Sequence, residues 1–590
     1  MNEKIENVLN LALDATPDEL NRSQELSVGF DAATDSWDLI VRYTGSLDNV
    51  HNISGVTVKE LSNGYAILNV PANQVDDIAA LDEIIFVEKP KRLEYAILNA
   101  KRESCINQVQ QAGFPGDGMG LFGEGIIVGI ADSGIDYTNM VFRNQDGTTR
   151  ILKLWDQVTG RIYDEEDINW ALESDHPYGI VDSRDPTGHG THVAGIAVGN
   201  FATNKNDNLG IATKSRIIFV KMATASENSF PRTTQLMEAV DFMVKQANEY
   251  NMPLSMNLSF GNTYGSHDGT SLLSTYLDSV IDGNRISIQI GSGNEGDSAG
   301  HAGGYVGGSS NLGTARETIN GGVDSGVVVN GNTEIELQVS RFQRSFSVQL
   351  WKDYVDSFGI EIVAPSGERT PIIREKSTIN RYRLNDTELF ILYGTPKPFS
   401  RFQEIYMDFI PVNQYIDEGI WTIRIVPEKI VVGRYDLWLP NSQSLNENTR
   451  FLKPDPFTTL TIPGATLKAV TVGAYDSSTG RMATFSGRGF LRENDQIKPD
   501  IVAPGVNISS AAPGDGLSVQ SGTSMATPFV TGSVALMMEW GIVRGNDPFL
   551  YGEKVKAYLI KGARHLQEFN EWPNPQAGWG ALCLRDSLPM

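Results

Sequence analysis

The chain has 590 residues, which at roughly 150 residues per domain allows two to four domains. Its 48 basic and 72 acidic side chains give a net charge of −24, which argues against nucleic-acid or anionic-membrane partners because both favour basic surfaces. The two cysteines, Cys105 and Cys583, are too few for a disulfide framework or a multi-cysteine metal site. They can form one bridge at most, and we expect two unpaired thiols.

The N-terminal sequence shows no secretion signal. Acidic residues interrupt each apolar run in MNEKIENVLNLALDATPDEL before it reaches the length of a signal-peptide core. No run of about 18 uninterrupted apolar residues occurs elsewhere, so no membrane-spanning helix is predicted. We therefore expect a soluble protein that is cytoplasmic at synthesis.

Residues 1–96 are predicted to form a small α+β domain. A helix is expected over 73–80, between two of three short, partly alternating apolar runs. Those runs are predicted strands: WDLIVRY (37–43), YAILNV (65–70) and EIIFVE (83–88). The polar stretch EKPKR (88–92) then marks the domain boundary.

From residue 125 strands alternate with helices, a pattern typical of a parallel sheet covered on both faces. The predicted strands are IIVGIAD (126–132), IIFVKMA (217–223), PLSMNLSF (253–260), ISIQI (286–290), LKAVTVGAY (467–475) and IVAPG (501–505). Amphipathic helices are expected around 236–244 and 273–281, and an apolar helix over 524–540. We predict an α/β fold with a doubly wound parallel sheet, formed by residues 97–314 and 456–590.

Residues 315–455 interrupt this alternation. Seven short strand-like runs separated by turn residues, from EIELQVS to YDLWLP, show little helical periodicity. We predict an all-β, jelly-roll-like domain inserted into the α/β domain.

Three polar motifs stand at ends of the predicted α/β elements. Asp132 in ADSGID follows an apolar strand, while His189 in GHGTHVAG and Ser524 in SGTSMATP stand at helix starts. Taken singly, Asp132 is explained by an Asx turn and Ser524 by a helix N-cap. His192 is expected to be a packed helix histidine. A metal at His189 and His192 is not predicted, because no carboxylate or cysteine accompanies them.

Together the three motifs predict nucleophilic catalysis. A histidine can remove the proton of a serine hydroxyl, and a carboxylate fixes the histidine tautomer. The chain order Asp, His, Ser is one of three in which such triads occur. Asn294 in GSGNEG follows the predicted strand ISIQI, so its amide can donate to an oxyanion. This chemistry needs no cofactor, and none is predicted.

These motifs resemble those of the subtilisin-like serine proteases, the subtilases. DSGID, GHGTHVAG, SGNEG and GTSMATP match the family's Asp, His, oxyanion-Asn and Ser motifs in the family's order. The resemblance implies catalysis by Asp132, His189, Ser524 and Asn294. It also implies substrate contacts by Asn257, Ser259, Phe260, Gly261, Ser292, Gly293 and Thr523.

The chain departs from compact subtilases in two places. Asn294 and Gly473 lie 179 positions apart, where compact members need only a short connection, which supports the inserted β domain. The polar loop 200–208 resembles the family's structural calcium loop but is shorter, so no calcium site is predicted.

The N-terminal domain resembles a subtilase propeptide. The resemblance implies a chaperone and inhibitor whose C-terminal tail is bound in the substrate cleft, with autoprocessing between Leu93 and Ala100; whether it stays bound after processing is left open. The basic pair Lys91 and Arg92 has two interpretations, a site for a dibasic-specific protease or an exposed linker.

A propeptide without a secretion signal, a complete triad and a β insertion resemble the Csp germination proteases of clostridial spores. The C-terminal sequence WPNPQAGWGALCLRDSL (572–588) resembles theirs as well. This implies a spore-associated serine endopeptidase that activates the precursor of a cortex-degrading hydrolase by limited proteolysis. Two alternatives stay open: a general intracellular subtilase, and a pseudoprotease-like binding or signalling protein on the same fold.

Overall fold

The computed structural model divides the chain into two compact units, Met1–Tyr95 and Ala96–Met590. The residues it describes are 3–17, 20, 26–61, 63–90, 96–110, 119–200, 210–222, 231–307, 324–375, 379–396 and 400–589. The basic pair Lys91 and Arg92, part of the expected processing segment and nearly all of the loop 200–208 lie outside these residues.

The first unit is an antiparallel sheet with helices. Its strands are β1 (Phe30–Asp31), β2 (Ser36–Tyr43), β3 (Thr57–Leu61), β4 (Tyr65–Pro71) and β5 (Ile84–Glu88). Its helices are α1 (Asn7–Asp14), α2 (Asp48–His51) and α3 (Val75–Ala80). The alternation along β2 puts Trp37, Leu39 and Val41 into a core of the unit's own, where Val75 and Ile78 of α3 join them.

The second unit has helices around a mostly parallel sheet, with a β-rich region between its two halves. The first half contains α4 (Ala96–Glu103), α5 (Ile106–Gln110), β6 (Ile127–Asp132), β7 (Ile151–Asp156), β8 (Arg161–Asp164), α6 (Glu165–Leu172), α7 (His189–Val198), β9 (Arg216–Lys221), α8 (Thr233–Glu249), β10 (Leu254–Leu258), α9 (Leu272–Gly283) and β11 (Ile286–Gly291). The β-rich region contains β12 (His301–Tyr305), β13 (Val327–Val329), β14 (Asn332–Val339), β15 (Phe346–Asp353), β16 (Ser357–Val363), β17 (Ile379–Leu384), β18 (Thr387–Tyr393), β19 (Phe402–Pro411), β20 (Gly419–Lys429), β21 (Arg434–Trp438) and β22 (Arg450–Phe451). The second half contains β23 (Val470–Asp476), β24 (Arg481–Met482), β25 (Gly489–Phe490), β26 (Ile497–Lys498), β27 (Ile501–Pro504), β28 (Ile508–Ala512), β29 (Gly516–Gln520), α10 (Thr523–Met538), α11 (Glu553–Lys561) and α12 (Leu584–Ser587).

In the described part of the chain the main sheet has nine strands, in the order β24-β23-β11-β10-β6-β9-β7-β8 with β27 also paired to β23. The inner pairs are parallel, and only β24 and β8 run antiparallel to their neighbours. On β6, Val128 and Ile130 join the core on the side of α7 and α10, while Ile127 and Ala131 join the core on the side of α8 and α9. The predicted α/β fold with a parallel sheet covered on both faces is confirmed.

The β-rich region consists of two antiparallel sheets around a shared apolar core. One sheet has the order β12-β21-β15-β19-β18-β17, and the other the order β13-β14-β20-β16 with β22 on β14. Leu350 and Ile405 from the first sheet meet Leu337 and Ile423 from the second. The first of these strands, β12, lies ahead of residue 315. The boundaries at 315 and 455 and the jelly-roll connectivity stay predictions.

Cys105 and Cys583 form a disulfide bond, so the expectation of two unpaired thiols is wrong. The fold brings the turn between α4 and α5 against the start of α12, where the Leu584 N–H donates to the Ser104 carbonyl at 2.9 Å. Both cysteines are buried. They are 478 positions apart, so nothing in the local sequence indicated that they meet.

Among the described residues, one helical stretch, 523–543, is long and apolar enough to cross a membrane, and 83% of its apolar window is buried inside the protein.

Candidate active site

The carboxyl ends of the parallel strands place several of the predicted residues at one edge of the main sheet. β6 ends at Asp132, β10 ends at Leu258 just before Ser259, and β11 ends at Gly291, three residues before Asn294. Parallel strands that are neighbours end on the same side, and sites of α/β sheets lie at this edge.

Asp132 and His189 are joined by a hydrogen bond of 2.7 Å between Asp132 Oδ1 and His189 Nδ1. The carboxylate is fully buried, whereas the imidazole is 30% exposed. Burial lowers the pKa of His189, but the charge of Asp132 and its hydrogen bond raise it, so the pKa lies above its ordinary value of 6.5. Gly190 allows this contact, because a Cβ there would come within 2.1 Å of the Gly134 carbonyl oxygen.

The start of α7 is held by Asp185, which the sequence analysis missed. Its buried carboxylate accepts hydrogen bonds from the backbone N–H groups of Gly188 and Thr191 at 3.0 and 2.8 Å. It also accepts from the Ser133 hydroxyl at 2.8 Å, which ties the helix to the residue after Asp132. A negative charge such as this carboxylate is stabilised near the N-terminus of a helix. The sequence feature that could have indicated this role is an aspartate four residues before His189, where α7 begins.

His192 faces away from this pair. It is fully buried, and its Nε2 lies 3.0 Å from the Ile508 carbonyl and 3.1 Å from the Ser518 carbonyl. Burial lowers its pKa to about 4, so the ring is neutral at pH 7 and Nε2 donates. The expectation of a packed helix histidine is confirmed.

Ser524 is the second residue of α10 and is half-buried, on a helix whose other residues are all buried. The preceding Gly522 has φ +155°, and a Cβ there would stand 3.4 Å from Asn294 Nδ2. At this helix start Ser524 is therefore partly accessible, and Gly522, two residues before it, lies next to the asparagine amide.

Asn294 is oriented by Thr523. The Asn294 Oδ1 accepts hydrogen bonds from the backbone N–H of Thr523 at 3.0 Å and from its hydroxyl at 3.1 Å. Because both bonds engage the oxygen, the amide nitrogen with its two hydrogens faces the Gly522 side. Asn294 is exposed, so this nitrogen can meet a bound substrate.

The other predicted substrate-binding residues fall into two groups. Ser259, Phe260, Gly261 and Gly293 are exposed or half-buried just beyond the strand ends. Asn257, Ser292 and Thr523 are buried behind them. Asn257 in particular lies in the core, where its amide oxygen accepts from the Thr531 hydroxyl of α10 at 3.1 Å. Asn257 therefore links β10 to α10, the helix that carries Ser524.

Among the described residues no group of three or more His, Cys, Asp or Glu side chains is arranged to hold a metal ion. The polar groups described at this site are the hydroxyl of Ser524, the imidazole of His189 with its Asp132 carboxylate, and the amide of Asn294.

Comparison with known families gives two matches along the chain. Residues 123–395 and 446–580 match the subtilase family, and residues 3–91 match the Csp protease B prodomain. The solved structure of the Clostridium perfringens CspB protease is 36% identical, with a TM-score of 0.75. The superposition covers 83% of this chain and 96% of that chain.

Curated bacterial proteases are more distant relatives. Serine protease AprX of Bacillus subtilis (strain 168) is 34% identical over 151 residues, or 22% of this chain and 32% of that protein. Minor extracellular protease Vpr of the same organism is 23% identical over 561 residues, or 89% of this chain and 60% of that protein. The matches thus span less than two thirds of either relative. The subtilase match alone spans more than half of the residues of this chain. The chain therefore belongs to the subtilase family of serine peptidases, with a Csp-type prodomain at its N-terminus.

Proposed function

We propose that the chain is a serine endopeptidase in which Ser524 is the nucleophile, His189 the general base and acid, and Asp132 the residue that orients His189. The 2.7 Å hydrogen bond between His189 Nδ1 and Asp132 Oδ1 carries this proposal. It fixes the neutral tautomer whose Nε2 can accept a proton. The buried carboxylate also stabilises the imidazolium formed when that proton arrives.

The proposed reaction uses these residues and Asn294 in turn. Ser524 Oγ attacks the carbonyl carbon of the scissile peptide bond while His189 Nε2 takes the hydroxyl proton. The oxyanion then accepts hydrogen bonds from the amide of Asn294 and the backbone N–H of Ser524, at the positive end of α10. His189 gives its proton to the leaving amine, and a water molecule hydrolyses the acyl-enzyme with the same base.

A fluorophosphonate, which reacts with activated serines, tests the nucleophile. We expect one covalent adduct on Ser524 of the full chain and none in Ser524→Ala. Ser521→Ala is the matched control, since this exposed serine precedes the helix, and it should label like the wild type. A folded wild-type protein without an adduct at Ser524 would refute the proposal and favour the binding or signalling alternative.

We also propose that the enzyme removes its own prodomain between Leu93 and Ala100. Two observations support this: the Csp protease B prodomain match ends at residue 91, and the chain divides into compact units at Tyr95 and Ala96. Purified wild type should show a new N-terminus in this segment, whereas Ser524→Ala should stay intact. Cutting of the purified Ser524→Ala protein would show that another protease does the processing.

The likeness to the CspB protease supports a narrower role, as a spore-associated protease that activates a cortex-hydrolase precursor during germination. Incubation with that precursor should give one discrete cut with the wild type and none with Ser524→Ala. Breakdown into many fragments would instead favour a general intracellular subtilase.

A further inference from the structure

One sheet of the β-rich region, β12-β21-β15-β19-β18-β17, has one face in the apolar core of that region and the other face turned outward. On β21 and β15 the outward face is covered by the parallel-sheet region. Trp438 stacks there on His267, with 4.1 Å between ring centroids, and the side-chain oxygen of Gln349 accepts a hydrogen bond from the Gly265 N–H at 2.7 Å. Trp438 and Gln349 are buried, so this half of the face is an internal contact.

The other half of the outward face, on β19, β18 and β17, is accessible to solvent. The strand register places Tyr406, Leu392 and Ile379 in one row across these three strands. Leu392 is 39% and Ile379 is 61% exposed, while Tyr406 is half-buried. Phe390 lies in the adjacent row beside Arg381, whose guanidinium is 4.9 Å from the centroid of the phenyl ring. We call these five side chains the free face.

Tyr264 connects the free face to the candidate active site. It comes three residues after Gly261, which ends the predicted substrate-binding segment 259–261, and it is 47% exposed. Burial raises the pKa of Tyr406, and the neighbouring Asp408 and Tyr264 raise it further, so Tyr264 lies at the border of the free face. An exposed path therefore leads from segment 259–261 over Tyr264 to the row of apolar side chains.

A substrate bound at Ser524 is long enough to follow this path. The three residues from Gly261 to Tyr264 span at most about 10 Å, and the two strand spacings from β19 to β17 add about 10 Å. An extended polypeptide covers this distance with about six residues. Because an endopeptidase cuts within a polypeptide, its substrate has such residues beyond the cut bond.

We propose that the free face is a second binding site for the polypeptide substrate, which takes an apolar segment about six residues away from the segment bound in the cleft. This inference rests on the proposed function. Five side chains are few beside the roughly 20–30 residues that each partner of a stable protein complex contributes. A substrate already held in the cleft needs no such area, because its tethered residues meet the free face at a high effective concentration.

Protection of Ser524 from a fluorophosphonate tests this site, because a peptide bound in the cleft slows labelling whether or not it is cut. The short probe is LEYAILNA, the sequence of residues 93–100. The long probes extend it on one side or the other by about eight residues in which leucine alternates with serine, which exceeds the length of the path. Extensions of equal length made of glycine and serine control for length alone.

The variants are full-length Leu392→Ser and Ile379→Ser, which make the free face polar. Ile420→Ser is the matched control, since Ile420 is 49% exposed on β20, in the other sheet of the β-rich region. For each protein the readout is the ratio of the concentrations at which the short and the long probe halve the rate of Ser524 labelling.

We expect one leucine-bearing probe to protect the wild type at a concentration at least about tenfold lower than the short probe, since burying one leucine side chain is worth that factor. Leu392→Ser and Ile379→Ser should each reduce this ratio by about fivefold or more, and Ile420→Ser should keep it.

Equal protection by the short and the leucine-bearing probes would overturn the inference, as would equal protection by the glycine–serine extensions or an equal loss in Ile420→Ser. Self-association of the wild type that Leu392→Ser abolishes would also overturn it, because a second copy would then cover the free face. Absence of fluorophosphonate labelling in the wild type would instead refute the proposed function itself.

Discussion

At the scale of single residues, Asp132 uses one carboxylate oxygen for two contacts. Oδ1 accepts from His189 Nδ1 and from the Ser133 N–H, both at 2.7 Å, while Oδ2 is buried without a hydrogen-bond partner among the described residues. A buried carboxylate with so few donors has little compensation for its charge. An imidazolium at His189 supplies that compensation, so the pair favours proton uptake by the histidine.

Asp132→Asn is expected to lower kcat by about four orders of magnitude, because the amide can hold the wrong imidazole tautomer. It should also shift the acidic limb of the pH–rate profile. In the wild type Asp132 raises the pKa of His189 above 6.5, so activity is lost as pH falls through that higher value. Without the Asp132 charge, burial of the imidazole dominates and lowers the pKa of His189. The acidic limb should therefore move to lower pH. Fluorophosphonate labelling rates from pH 5 to 9 measure it; an unmoved limb would contradict this assignment.

Asn294→Ala should lower kcat by about 10²- to 10³-fold with little change in KM, since the amide acts on the oxyanion and not on the bound substrate. Thr523→Val removes one of the two bonds that orient the amide and should lower kcat less. Thr523→Ser keeps the hydroxyl and is the matched control. Steady-state kinetics with a peptide substrate measure kcat and KM for each variant. If Asn294→Ala changed KM alone, Asn294 would act in substrate binding and not at the oxyanion.

At the scale of elements, the sequence predicted best where a strand is buried on both faces. IIVGIAD and ISIQI are such runs, and β6 and β11 lie within one residue of them. No prediction covered β7, where Lys153 breaks the apolar run ILKLWD and lies 3.8 Å from Asp164 on β8. Contacts between residues far apart in the sequence left no local pattern, and for this reason the disulfide was missed.

The disulfide links the α4–α5 turn to the start of α12. Cys105→Ser and Cys583→Ser should each lower the free energy of unfolding by about 2–5 kcal/mol, because the cross-link restricts the unfolded chain. Urea unfolding without reductant measures this loss. The double variant should have the same free energy of unfolding as either single variant, because each change removes the same bridge. As a control, reductant should bring the wild type to the same value. Two alkylated thiols in unfolded, unreduced wild type would contradict the bridge.

At the scale of the whole molecule, the β-rich region is joined to the parallel-sheet region by buried contacts. Trp438 at the end of β21 stacks between His267, at 4.1 Å, and His301, at 4.9 Å between ring centroids. Its indole N–H donates to the Thr458 carbonyl at 3.0 Å, and the Thr263 hydroxyl donates to the Leu439 carbonyl at 2.6 Å. Residues 96–590 accordingly form one compact unit.

Scanning calorimetry of the uncut Ser524→Ala protein should show two transitions, one for each compact unit. Trp438→Ala should lower only the transition of 96–590, because removing a buried tryptophan costs about 3–5 kcal/mol locally. Trp37→Ala is the matched control, since Trp37 is 1% exposed in the core of the first unit, and it should lower only the other transition. A third transition that follows Trp438→Ala alone would show that the β-rich region unfolds independently.

The position of Ser524 beyond the β-rich region has a consequence for the order in which the enzyme is made. A ribosome completes Asp132, His189 and Asn294 first, and then adds all of β12 to β22 before the proposed nucleophile Ser524. Cys583, which ties the far end back to α4 and α5, comes last. A nascent or truncated chain that stops before residue 524 therefore lacks the proposed attacking hydroxyl, and we expect no proteolysis from unfinished copies.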